Sequence, residues 1–210
     1  FRSEKPPVLL LYGFFSSRRA MTVIERQLTA KGYDVLSFNL GGLLNTFFTE
    51  SVLKSAQFID YKIERQRQRH NIEKMQIIAY SKGGLVAMWW LLKMGGHKYC
   101  DKIITMGTPF QGSFLTYLAL ITPLGLIWKD VWQMRPGSNM LKALAQSNVP
   151  ENLSITCLFS HSDRVSRGAK GVFRPKSVNG KINYIEVKNV GHFEFMYRRG
   201  VGDMLNELLD

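Results

Sequence analysis

Cysteine is nearly absent: Cys100 and Cys157 are the two in the chain. They are too few and too far apart in sequence for a disulfide framework, and neither stands beside a second metal-ligand type in a recognised spacing. Both read as small core residues, and no metal site is expected. Tandem repeats and low-complexity tracts are missing too. Glycine and proline fall singly between periodic segments, which leaves no linker or domain boundary to place. Zinc-ligand spacing, an aromatic ribonucleoprotein motif and heptads behind a basic region are also missing, so no nucleic-acid partner is expected. The chain opens FRSEKPPVLLLYG, without an initiator Met or a signal-peptide pattern. An N-terminal signal or anchor removed from this chain fits that opening, and the compartment stays open.

What is present is an apolar fraction of 45% over 210 residues, enough for one domain, 1–210, with a substantial core. The 28 Lys and Arg against 16 Asp and Glu give a formal net charge of +12, an excess that draws a protein toward anionic surfaces. An acidic membrane surface fits this excess, and so does a basic surface kept for solubility.

Along the chain, short apolar runs alternate with amphipathic stretches. PPVLLLYG (6–13) is the pattern of a strand buried on both faces. In the stretch that follows, Met21, Ile24 and Leu28 sit at helical spacing before Gly32. YDVLSFNL (33–40) predicts a second strand. Residues 50–70 predict a long amphipathic helix, with Val52, Ala56, Ile59 and Ile63 on one face and Lys62, Arg65, Arg67 and Arg69 around the other. MQIIAY (75–80) predicts a third strand and 83–96 an apolar helix. Strands follow at 102–109, 153–160 and 181–188, with a terminal helix over 197–209. The alternation implies an α/β domain, a mostly parallel sheet with helices on both faces. Functional groups in such a sheet gather beyond the carboxyl ends of the strands.

Residues 110–150 break the rhythm, because a simple connection needs far fewer residues. The longest uncharged apolar part there is shorter than the roughly 18 residues of a membrane span, and Pro123 and Gly125 interrupt it. The segment reads as an inserted cap or lid, the alternative being an ordinary crossover helix.

Ser81 follows MQIIAY without a gap and precedes Gly83 and Gly84. A nucleophile elbow needs this order, because the serine sits on a strained turn and small neighbours let strand and helix pass closely. The common pattern is Gly-x-Ser-x-Gly; here Ala79 takes the first small position. A serine needs a base, and the base needs an orienting group. His70 and His97 are expected at the amino edge of the sheet. His192, just after the last strand, is expected at the carboxyl edge, as is His161, two residues from Asp163. The order Ser81, Asp163, His192 places all three beyond strand ends on one edge. The oxyanion donors would be the backbone N–H of Lys82, at a helix start, and that of Phe14, beside Gly13.

LLLYGFF, IIAYSKGG, TMGTPFQGS, SHSDRV and GHFEF together resemble the lipase and esterase branch of the α/β-hydrolase superfamily, over nearly the whole chain from Pro7. TMGTPFQGS is similar to a Thr-x-Gly-x-Pro-x-x-Gly segment of bacterial lipases. The resemblance implies an α/β-hydrolase fold and cofactor-free hydrolysis of carboxylic esters through an acyl-serine. The chain departs from the family pattern at Tyr12 and Tyr80, where His is usual, and at Lys82, where an apolar residue is common. Tyr80 and Lys82 flank the reaction centre, so the substrate range of relatives does not carry over.

Phe14, Phe15, Tyr80, Phe110, Phe114 and Leu115, with Trp128 and Trp132 in the cap, are expected to form an apolar acyl-binding cleft. Arg164, Arg167, Lys170, Arg174 and Lys176 lie on the same edge, a rim that suits an anionic lipid surface as well as it suits a solvated loop. The expected activity is that of a lipase or carboxylesterase, extending to phospholipase. An acyl-thioesterase or acyltransferase using the same three residues, and a catalytically silent membrane-binding module, are the alternatives.

Overall fold

The computed structural model of the chain describes residues 3–14, 16, 18–40, 42–43, 47–48, 50–120 and 129–210. In chain order the strands are β1 (Val8–Leu11), β2 (Val35–Ser37), β3 (Gly42–Leu43), β4 (Phe47–Phe48), β5 (Met75–Tyr80), β6 (Cys100–Met106), β7 (Asn148–Val149), β8 (Ser154–Phe159), β9 (Ser177–Val178) and β10 (Lys181–Glu186). The α-helices are α1 (Thr22–Ala30), α2 (Val52–His70), α3 (Lys82–Lys93), α4 (Leu115–Leu120), α5 (Lys129–Met134), α6 (Asn139–Ala145) and α7 (Arg199–Leu209).

Six strands form one sheet in the order β2, β1, β5, β6, β8, β10, and every pairing in it is parallel. Parallel neighbours require crossovers, and the helices between the strands supply them. Every residue of β1 and β5 is buried, as expected where a sheet is covered on both faces. Helix α2 packs on α3, and α1 on α7. Within the first pair, the Trp90 Nε1 donates to Asp60 Oδ1 at 2.7 Å.

Helix α2 follows the sequence pattern closely. Ser51 caps its start by accepting from the Lys54 N–H, and Asn71 ends it in the left-handed conformation at φ 51°, as favoured C-terminal residues do. Its apolar stripe, Val52, Ala56, Ile59 and Ile63, is buried.

The second strand is shorter than the 33–40 expected, because β2 is an edge strand that pairs β1 only from Val35 to Ser37. The strand expected over 102–109 runs from Cys100 to Met106 instead. Gly107, at φ +55°, turns the chain out of the sheet. Cys100 and Cys157 are free and buried in the core.

The interval 110–150 contains α4, α5 and α6, with α5 packed against both others. Trp128 lies outside the described residues. Among the described residues, no helix is long and apolar enough to cross a membrane.

Candidate active site

The carboxyl ends of five strands converge. Strand β1 leads to Gly13 and Phe14, β5 to Ser81, β6 to Gly107, β8 to Asp163, and β10 to His192. In a parallel sheet these ends share one edge, so groups distant in sequence meet there.

Ser81 sits between β5 and α3 with φ 53° and ψ −125°. Among the described residues, the other non-glycine positions with positive φ are Asn71 and Asn189, a residue type that tolerates it. Ser81 is therefore held in a strained conformation, secured by its N–H donating to the Met106 carbonyl at 2.8 Å and its carbonyl accepting from the Gly84 N–H at 3.0 Å. The two following glycines are required by space. A Cβ on Gly83 would come within 2.6 Å of the Tyr12 carbonyl oxygen, and one on Gly84 within 2.0 Å of Thr108 Oγ1.

Ser81 Oγ lies 2.9 Å from His192 Nε2, and His192 Nδ1 lies 2.7 Å from Asp163 Oδ2. The other carboxylate oxygen of Asp163 accepts from the backbone N–H of Val165 at 2.7 Å and of Ser166 at 2.9 Å. The Ser166 hydroxyl in turn donates to the Thr108 carbonyl at 3.0 Å. Ser81, Asp163 and His192 are all buried. A buried carboxylate with both oxygens engaged fixes the imidazole ring and its tautomer. Gly107 makes room for this arrangement, since a Cβ there would lie 2.9 Å from Asp163 Oδ2 and 3.3 Å from His192 Nδ1.

The loop after β1 runs against the serine. A Cβ on Gly13 would come within 2.9 Å of Ser81 Cβ, so the chain passes Ser81 as closely as glycine allows. Lys82 is the first residue of α3, where N–H groups point out of the helix start. Its side chain is wholly buried, and the ammonium donates to the Glu50 carbonyl and lies 5.5 Å from the centre of the Phe14 ring. Lys82 itself is not in the lining of the cleft that Ser81 faces.

That cleft has a volume of about 330 Å³ and is lined by Ser81, His192, Phe14 and Tyr80 together with Leu115 and Val131 from the 110–150 interval. Phe14, Tyr80 and Leu115 are where the sequence places them. Phe110 and Phe114 are not in its lining. Phe110 is buried against Phe173, ring centres 5.0 Å apart, whereas Phe114 is 61% exposed with the Lys170 ammonium 3.8 Å over its ring. One turn of chain separates the two, and Gly112 at φ +85° sends them in different directions. Phe15 lies outside the described residues. Trp132 lines a separate surface groove with Leu53 and Trp89.

Sequence reasoning missed Pro109, Ser113, Thr116, Val131, Met134, Val165 and Phe193 in the lining. Phe193 and Val165 were accessible from it, as close chain neighbours of His192 and Asp163. The other five depend on how the chain packs after β6. Of the remaining histidines, His161 pairs with Glu186 at 3.0 Å in an exposed position, and His97 Nδ1 lies 3.0 Å from the Leu91 carbonyl. The Tyr80 ring lies tilted by 42° against that of His192, ring centres 5.0 Å apart. Burial, and secondarily the Asp163 charge, push its phenol well above the usual tyrosine range, so the hydroxyl keeps its proton. Among the described residues, no cluster of three or more His, Cys, Asp or Glu is placed to hold a metal ion.

Residues 6–135 match the family described as alpha/beta hydrolase fold. Among solved structures, the chain is similar to a Bacillus licheniformis lipase in its mature form, with 17% identity, TM-score 0.74, and 98% of this chain and 92% of that chain covered. It is also similar to a Paleococcus ferrophilus monoacylglycerol lipase, with 16% identity, TM-score 0.67, and coverage of 98% and 96%. A third likeness is to a structure from a study of carboxylesterases of the thaumarchaeon Nitrososphaera gargenis, with 13% identity, TM-score 0.66, and coverage of 98% and 90%. At these identities the likeness carries the fold alone. No curated protein matches the sequence.

Proposed function

Because the chain belongs to the alpha/beta hydrolase fold family, we propose that it is a serine hydrolase of carboxylic esters, with Ser81 as nucleophile, His192 as general base and acid, and Asp163 as the group that orients His192. The observation that carries this reading is the unbroken chain of hydrogen bonds from Ser81 Oγ through His192 to Asp163 and on to the Val165 and Ser166 amides.

In the reaction, Ser81 Oγ attacks the ester carbonyl carbon while its proton passes to His192 Nε2. The carbonyl oxygen becomes an oxyanion, accepting from the N–H groups of Phe14 and Lys82. The intermediate collapses by breaking the bond to the alcohol oxygen, which takes the proton from His192 and leaves. Water then attacks the acyl-serine with His192 again as base, and the acid departs as Ser81 recovers its proton. The positive charge on His192 in each tetrahedral state is balanced by Asp163.

The apolar lining favours a hydrocarbon part in the substrate, and the surroundings of the mouth favour a lipid surface. Phe114 and Phe193, 61% and 64% exposed, stand beside a loop carrying the exposed Arg164 and Arg167. Apolar side chains next to cations suit an anionic bilayer. Co-sedimentation with vesicles containing phosphatidylserine, but not with pure phosphatidylcholine, checks this part of the reading.

The test of the activity is hydrolysis of a p-nitrophenyl ester series, comparing the parent with Ser81→Ala. The expected result is turnover by the parent and a fall in kcat of roughly 10⁴-fold or more in the variant. An inert parent, with thioesters and phospholipids included, overturns the reading in favour of a silent module.

A further inference from the structure

Lys82 carries a charge into an unfavourable place. Its side chain is wholly buried, and it leaves the first residue of α3, the positive end of that helix. Lysine is almost never fully buried unless it is paired, because the ammonium forfeits its hydration. Two contacts offset that loss. The ammonium donates to the Glu50 carbonyl, and it lies 5.5 Å from the centre of the Phe14 ring, within the range of a cation–π interaction.

These contacts join three parts of the chain beside the reacting serine. Glu50 precedes Ser51, whose side chain caps the 19-residue helix α2 by accepting from the Lys54 N–H. The Glu50 carbonyl is therefore a fixed point at the start of a long packed element. Lys82 directly follows Ser81. Phe14 lies beyond the end of β1, whose pairing with β5 stops at Leu11, so the sheet ladder does not fix the direction of the Phe14 N–H. Yet a donor to an oxyanion works only when it is aimed at the place where the charge develops.

Resting on the ester-hydrolase reading and its two oxyanion donors, we propose that the Lys82 side chain is a positioning group for the oxyanion hole. Anchored on the Glu50 carbonyl, its ammonium holds the Phe14 ring, and through the ring it holds the Phe14 N–H where the substrate oxygen becomes charged. Lys82 then serves the hole twice, by its own N–H and by the side chain that fixes the second donor. The ammonium acts without touching the substrate, since Phe14 belongs to the cleft lining and Lys82 does not. Its effect therefore falls on states that carry the oxyanion and spares ground-state binding.

An alkyl trifluoromethyl ketone tells those states apart. Ser81 Oγ adds to its carbonyl carbon, the serine proton passes to His192, and the carbonyl oxygen becomes an oxyanion in the hole. The corresponding alcohol fills the same cleft and forms no adduct, so the ratio of the two inhibition constants reports the hole and cancels the apolar lining. Lys82→Met keeps the backbone N–H and an unbranched side chain. It is expected to lower kcat on p-nitrophenyl butyrate by roughly tenfold to hundredfold with KM within about twofold of the parent, and to shrink the inhibitor ratio by a similar factor. Phe14→Leu removes the ring from the other end and should shrink the ratio alike, and the double variant should be no worse than the worse single. Phe14→Leu also decides the matter if thermal melting shows Lys82→Met unfolded. An unchanged ratio in Phe14→Leu, or in folded Lys82→Met, overturns the inference and leaves the hydrolase reading standing. Losses that simply multiply in the double variant overturn it too, because the ammonium and the ring would then act separately. A parent that hydrolyses no ester removes the hydrolase reading, and the inference with it.

Discussion

Across the cleft, two buried polar neighbourhoods differ in how their hydrogen bonds are met. On one side, Ser81, His192 and Asp163 are joined in sequence, and Asp163 is anchored on the amides of Val165 and Ser166. On the other, the hydroxyls of Tyr80 and Ser113 are as deeply buried, yet they have no partner among the described residues. The first neighbourhood is built from the ends of sheet strands and is complete without substrate, which is what preorganised chemistry requires. The second is formed by the strand end at Tyr80 and by Ser113, and its hydroxyls stay unpaired behind the wall of the cleft. One side is satisfied from within the fold and the other is not.

The largest effect should come from disturbing the satisfied side without emptying it. In Asp163→Asn the carboxamide oxygen would stay with the Val165 and Ser166 amides, which can only donate. The NH₂ group would then face His192 Nδ1 and force that nitrogen to accept. The proton would move to Nε2, the atom that must receive the Ser81 proton. A fall in kcat of about 10⁴-fold, with little change in melting temperature, is expected from steady-state kinetics and calorimetry. A fall below tenfold would show that the orientation of His192 does not depend on this carboxylate.

Gly107→Ala presses on the same side through the backbone. Its φ of +55° disfavours any Cβ, and the new atom would meet Asp163 Oδ2 at 2.9 Å. The left-handed conformation costs roughly 1–2 kcal/mol for a residue with a side chain. Displacement of Asp163 should add a loss of activity, and denaturant melts with kinetics on one preparation separate the two effects. Equal activity in the variant would break the claim that the satisfied side tolerates no slack.

How far each side could be read in the sequence follows from the same division. Alternating apolar runs and amphipathic stretches indicate the parallel sheet, and strand ends indicate which residues share its carboxyl edge. Ser81, Asp163 and His192 each stand within a few residues of such an end, so their proximity follows from topology. The short pairs β3–β4 and β7–β9 have two residues per strand and no period to recognise. The 110–150 interval is harder for another reason. Short helices such as α5 can turn any face to the cleft, and packing decides that Val131 and Met134 line it while Trp132 does not. Phe110 and Phe114 show the limit most plainly, since a single glycine turn separates a core residue from an exposed one.

Alkaline pH tests whether the unsatisfied side is as buried as its geometry indicates. The Tyr80 phenol is raised above its ordinary value of 10.0 by burial first and by the Asp163 charge second. The unfolded chain therefore loses this proton at lower pH than the folded one. Its contribution to stability is full below about pH 10 and declines as pH rises beyond. Burial raises the Cys100 and Cys157 thiols in the same sense, from 9.0, so the decline should begin near pH 9. Melting temperatures should hold from pH 7 to about pH 9 and fall from there to pH 11, less steeply at the upper end in Tyr80→Phe. A flat profile would mean that these groups ionise freely in the folded protein.

The smallest effect is the most pointed. Removing one hydroxyl from a buried pair usually destabilises a protein, because the abandoned partner is left unpaired. Tyr80 Oη leaves no such partner among the described residues, so Tyr80→Phe takes away a desolvated group and strands nothing. Denaturant titration at pH 7 should find the variant equal to the parent or more stable by up to about 1 kcal/mol. The ring and its packing on His192 are retained, which keeps the comparison to one oxygen atom. A loss of 1 kcal/mol or more would mean that the hydroxyl is already satisfied in the free protein. The two sides of the cleft would then be alike.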